Sequence, residues 1–89
     1  MKNELKQLIL DNAPLFWSVK AEDKLNLSEE VVVETILNYG DVEDIKRLFQ
    51  IIGLHRVAAI FQNQISYPRN NYHPRTKHFF QLYFNRHVS

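Results

Sequence analysis

Apolar positions along this chain recur three and four residues apart, the period of an amphipathic helix, and seldom in the alternation of a half-buried strand. From Asn3 to about Asn12, Leu5, Leu8 and Ile9 fall on one helical face, with Lys2, Glu4, Lys6 and Gln7 elsewhere. Pro14 ends this helix, because the residue before a proline is pushed out of the α region. Leu15-Phe16-Trp17 follows, and the polar stretch from Ser18 to Asn26 reads as a loop. Ser28 has the chemistry of an N-cap, with Glu29 and Glu30 in the first turn where the helix dipole favours negative charge. The spacing predicts a helix to Tyr39, with Val32, Ile36 and Tyr39 on one side and Val33 and Leu37 beside them. Val31-Val32-Val33 is β-branched and would suit a strand, but the cap and the later spacing outweigh that propensity.

Gly40 sits where a C′ glycine belongs, and Asp41 caps the next helix, with Asp44 adding charge to its first turn. Ile45, Leu48, Phe49 and Ile52 follow at i, i+3, i+4, i+7, the clearest amphipathic signal in the chain. Gly53 closes this helix, and Leu54, Val57, Ala58, Phe61 and Ile65 predict a fourth. Helices joined by almost no linker must turn sharply, so a hairpin or corner is expected around Gly40 and Gly53. Ser66 to Pro74 reads as a loop. Pro74 or Arg75 then begins a last helix through about Phe84, in which Phe79, Phe80 and Tyr83 share a face and Leu82 and Phe84 lie off it. The expected fold class is all-α: a compact bundle of about five short helices with tight Gly-capped corners. It forms one domain over 1–89, with the basic loop and C-terminal helix occupying 66–89.

Composition agrees. A chain of 89 residues supports one core, and an apolar share of 45% with 24% charged residues is ordinary for a globular protein. Only 2 glycines and 3 prolines are present, too few for the many turns of an all-β domain. The lack of cysteine excludes disulfides, thiolate zinc sites and thiol nucleophiles. The N-terminus is interrupted by charges and amides unlike a signal peptide, and no apolar run approaches a membrane span, so a cytoplasmic protein is expected. The net charge of +1 hides an asymmetry. Residues 1–65 hold 7 Lys and Arg against all 10 acids, whereas residues 66–89 hold Arg69, Arg75, Lys77 and Arg86 with no acid.

Candidate chemistry is sparse. Both glycines end helices, so no glycine-rich phosphate loop exists, and the serines lack the context of a nucleophile elbow. Glu22-Asp23, Glu29-Glu30 and Asp41/Glu43/Asp44 lie in a polar loop or at helix starts, where solvation and capping explain them. His73 and His78 are five apart, off the i, i+4 spacing that aligns two metal ligands, and His55 and His87 stand apart. No catalytic residue, cofactor or metal is therefore expected. Leu15-Phe16-Trp17 reads as one end of the core, with an exposed recognition platform as the alternative. The helices around Gly53 invite a helix-turn-helix reading, but their connection is short and the second offers only Arg56 among cations. The segment from Tyr67 to Arg86 interleaves aromatics with cations, which suits single-stranded nucleic acid, an acidic protein partner, or docking onto the acidic body of the chain.

Three stretches carry a resemblance: Leu15-Phe16-Trp17-Ser18-Val19; Ile36-Leu37-Asn38-Tyr39-Gly40-Asp41 with Val42-Glu43-Asp44-Ile45 and Leu48-Phe49; and Phe79-Phe80-Gln81-Leu82-Tyr83-Phe84. Together they resemble a family of short bacterial helical proteins of unknown function with LFW-D-V-D, YGD-x-ED and FW-x-L-F motifs. Members of that family are often encoded beside nucleotidyltransferase-type toxins of abortive-infection systems, which implies an antitoxin-like or accessory role. The sequence departs from the pattern at Ser18 and Lys20, where acids are usual, at Phe80, where tryptophan is usual, and in its long Ser66–Pro74 loop. The expected function is a non-catalytic protein-interaction module, with a small DNA- or RNA-binding regulator as the alternative. The expected contacts are Arg69, Tyr72, Arg75, Lys77, Phe80, Phe84 and Arg86. The expected partner is a protein, such as a toxin from a neighbouring gene, or a second copy; nucleic acid remains open and a membrane is not expected.

Overall fold

A computed structural model of the chain describes residues 3–16, 28–68 and 70–88. Five α-helices are present among them: α1 (Asn3–Asp11), α2 (Glu29–Tyr39), α3 (Val42–Ile52), α4 (Leu54–Ile65) and α5 (Pro74–His87). A 3-10 turn at Ala13–Phe16 follows α1 and contains Pro14. The all-α bundle expected from periodicity is therefore what forms. Trp17, the Ser18–Asn26 stretch and Arg69 lie outside the described residues.

Local chemistry explains the boundaries. Val31 N–H donates to Ser28 Oγ at 3.3 Å, so the serine caps α2. At the start of α3, Asp41 Oδ1 accepts from Asp44 N–H at 2.9 Å while Asp44 Oδ2 accepts from Asp41 N–H at 3.3 Å. This reciprocal capping box gives Asp44 a larger role than first-turn charge. Asn12 Nδ2 then donates to Asp44 Oδ1 at 3.1 Å and to Leu8 O at 3.0 Å, fixing the end of α1 on the start of α3. Asp11 reaches Arg47 at 3.0 Å along the same seam. The hydrogen bond from Gln7, and then Arg47, hold the Asp11 carboxyl below its ordinary range.

The two glycines act differently. Gly53 adopts φ +101°, which side chains with a Cβ rarely reach, and it serves as both the last cap of α3 and the first of α4. Gly40 instead has φ −73° and is not a left-handed C′ residue. Its need is close approach: a Cβ there would stand 2.7 Å from the Ile36 carbonyl oxygen.

The core draws on every helix. Leu5, Leu8 and Ile9 of α1 and Val32, Val33, Ile36 and Leu37 of α2 are all buried in one cluster, with α1 packed mainly on α3 and α2 on α3 and α4. The valine run is thus accommodated as helix because its inward members escape water completely. Leu48 is the one fully buried residue of α3, with Ile45, Phe49 and Ile52 at the core's margin. Val57, Ala58 and Phe61 of α4 are buried as the spacing predicts, and Ile60 joins them. Phe16 is also buried, so this part of the aromatic triplet belongs to the core. Tyr39 does not follow Val32 and Ile36 inward; it ends its helix 54% exposed, with its ring edge-on to His73 at 5.2 Å.

Candidate partner-binding face on the last helix

The position of α5 is set by the loop before it. Asn38 Nδ2 donates to Asn71 O at 2.9 Å, and Asn38 Oδ1 accepts from His73 N–H at 3.2 Å. Asn71 Nδ2 donates to Glu34 Oε1 at 3.0 Å. These bonds bind the loop to α2, while Tyr72 pins it to α4. The Tyr72 ring meets Phe61 edge-on at 5.0 Å, and its hydroxyl donates to Gln64 Oε1 at 2.5 Å. Gln64 Nε2 in turn donates to Glu30 O at 2.9 Å. Burial, with the negative charge of Glu34, pushes the Tyr72 hydroxyl pKa far above its ordinary value. Among the described residues, the loop therefore docks onto the body of the chain through amides and an aromatic ring.

α5 starts at Pro74, a residue suited to a first helical position, and extends past the expected Phe84 to His87. Phe80 and Phe84, one turn apart, face inward against Phe61 at 6.2 and 5.3 Å. Phe84 also meets Phe49 at 6.0 Å, and Tyr83 stacks on Phe49 at 5.9 Å. The expected face, Phe79 with Phe80 and Tyr83, is thus rotated: Phe84 points in and Phe79 points out.

Burial corrects three of the expected contact residues. Tyr72, Phe80 and Phe84 are 7%, 4% and 2% exposed, so they are core residues and present no surface to a partner. Arg69 falls outside the described residues. Arg75 and Arg86 are exposed, Lys77 is half-buried on the flank of the helix, and none of the three forms an ion pair among the described residues. Phe79 and Leu82, absent from the expected set, are 57% and 58% exposed. Arg75, Phe79, Leu82 and Arg86 follow one another at i, i+4, i+7, i+11 and so form a single outward stripe about 16 Å long. A shallow groove of about 230 Å³ opens on it, lined by Phe79, Leu82, Tyr83, Arg86 and His87. The helical spacing in the sequence contained this stripe, but finding it required knowing which side of α5 is inward.

Other candidate chemistry is absorbed by structure. Glu29 holds Arg56 at 2.7 Å, which occupies the only cation of α4 and removes the feature that a DNA-reading helix would need. Asp41 and Asp44 are committed to the capping box, and Glu34 to Asn71. Among the described residues, no three His, Asp or Glu side chains converge on a metal position. No described helix is long and apolar enough to cross a membrane. No protein-family model, curated protein or solved structure matches the chain.

Proposed function

We propose that this chain is a non-catalytic protein-interaction module whose working surface is the outward stripe of α5, offered to an acidic protein partner. The observation that carries the reading is the placement of two large apolar side chains, each more than half exposed, between two arginines that have no ionic partner among the described residues. Exposed apolar groups rimmed by polar ones mark interaction sites, and arginine and aromatic residues are the usual anchors of protein interfaces. The resemblance to bacterial proteins encoded beside abortive-infection toxins supports an antitoxin-like or accessory role in a cytoplasmic pair. Nucleic acid fits the same face less well. Arg75 and Arg86 stand about 16 Å apart with apolar residues between them, whereas backbone tracking calls for a continuous basic groove.

The test is co-purification of the tagged chain with the purified product of the neighbouring gene, in parallel with a Phe79→Ser/Leu82→Ser variant. A stoichiometric complex with the parent chain, lost in the variant at unchanged thermal stability, is expected. An equally strong complex with the variant refutes the assignment of the face. Retention on DNA at low salt, abolished by Arg75→Gln/Arg86→Gln, would favour the nucleic-acid reading instead.

A further inference from the structure

The groove on α5 has a lining that fits a side chain of a facing helix. Phe79, Leu82, Tyr83 and Arg86 stand at i, i+3, i+4 and i+7 of one helix and line the groove together. Four residues at that spacing are the hole that receives a single knob from a facing α-helix in knobs-into-holes packing. An extended strand or a nucleobase has no such requirement. At about 230 Å³ the groove is large enough for a leucine-sized side chain.

Charge completes the specification. Arg75 and Arg86 bracket the apolar pair, His78 and His87 are exposed beside it, and no acid occurs between residues 66 and 89. The spacing of the stripe, four then three then four residues, reads the same in both directions. An α5–α5 contact between two copies would therefore set Arg75 against Arg86 or against itself, with like charges opposed at both ends. The facing helix must instead bring carboxylates to both arginines. We infer that the outer face of α5 is built to receive an acidic amphipathic helix whose two apolar knobs are flanked by carboxylates three turns apart, in either chain direction. This inference rests on the proposed interaction role and names its occupant.

The probe is a helix-stabilised 16-residue peptide with Glu at positions 1 and 12, Leu at 5 and 8, and Ala and Gln elsewhere, titrated into the full chain by calorimetry. Its counterpart carries Lys in place of both Glu. Binding of the acidic peptide on the order of tens of micromolar is expected, in keeping with so small a contact. The lysine peptide should bind at least tenfold more weakly. Phe79→Ala/Leu82→Ala should weaken the acidic peptide at least tenfold. Arg75→Glu/Arg86→Glu should reverse the preference between the two peptides, which a purely structural role for the arginines would not do. Absence of acidic-peptide binding overturns the helical occupant, and so does equal binding of both peptides. Tighter binding of a 15-residue oligothymidylate, or of vesicles of phosphatidylserine and phosphatidylcholine, through Phe79 and Leu82 assigns the face to another class and overturns it too. Concentration-dependent dimerisation lost in Phe79→Ala/Leu82→Ala would do the same in favour of a second copy. A neighbouring-gene product that depends on Phe79 and Leu82 while the peptide stays silent would sink the helical occupant alone and leave the interaction role standing.

Discussion

Phe84→Ala and Phe79→Ala are the same chemical change on the same helix, five residues apart, and the fold assigns them opposite consequences. Phe84 is 2% exposed and its ring lies within 5.3 Å of Phe61, 5.5 Å of Phe80 and 6.0 Å of Phe49. Truncating a buried phenylalanine costs about 3–5 kcal/mol through lost transfer energy and the cavity left behind. A domain of this size has a total stability of about 5–10 kcal/mol. Phe84→Ala should therefore remove about a third of the stability or more. With a urea m-value of about 1 kcal/mol/M, the midpoint should fall by about 3–5 M. Phe79 is 57% exposed and, among the described aromatic rings, lies near Phe80 and Tyr83 alone. Its removal loses little burial and gains the better helix propensity of alanine, so a change within about 1 kcal/mol is expected. Urea denaturation followed by far-ultraviolet circular dichroism measures both. Equal losses, or a larger loss for Phe79→Ala, would mean that α5 presents its other side to the core and would remove the proposed binding stripe.

Other consequences are directly measurable. Gly53→Ala forces a Cβ onto φ +101° and should cost about 1–3 kcal/mol by backbone strain, although no neighbouring atom obstructs it. Gly40→Ala should be destabilising for a different reason, the 2.7 Å approach to the Ile36 carbonyl, and its α2–α3 corner should shift in the amide spectrum. Asp41→Ala removes one half of the capping box and should lower stability by about 0.5–2 kcal/mol in thermal or chemical denaturation. Tyr72 keeps its proton in the folded state to higher pH than in the unfolded chain, so the folded state holds the extra proton at alkaline pH. Its contribution is intact below the unfolded pKa of about 10 and declines above it. In an alkaline titration read by tyrosinate absorbance, one of the 4 tyrosines should ionise only as the helical signal is lost, and Tyr72→Phe should abolish that step.

Much of the architecture was legible because its signals are local. Ser28, Asp41 and Gly53 occupy the termini that their chemistry suggests, and the faces of α1 and α4 follow the spacing of Leu5, Leu8, Ile9, Val57, Ala58 and Phe61. Gly40 shows where local signals end. A glycine after a helix can serve positive φ or close approach, and only the neighbouring turn of Ile36 decides which. The inward face of α5 was harder to read because Phe79, Phe80, Leu82, Tyr83 and Phe84 cover more than half of the helix circumference and give it little directional contrast. The deciding partners, Phe49 and Phe61, are remote in sequence. Tyr72 misled for a related reason: an aromatic residue in a basic loop has the look of a ligand contact until Phe61 and Gln64 are found against it. The site was accordingly half legible. The arginines were visible from composition, whereas Phe79 and Leu82 emerged only after the core had claimed Phe80 and Phe84.

The interaction role is tested most directly by amide and side-chain NMR of the isotope-labelled chain titrated with its purified neighbouring-gene product. Perturbations concentrated on Arg75, Phe79, Leu82, Tyr83, Arg86 and His87, with the signals of the opposite faces of α1 and α2 unchanged, are the predicted result. A complex whose perturbations fall on α1 or α2 and leave Phe79 and Leu82 untouched would contradict it.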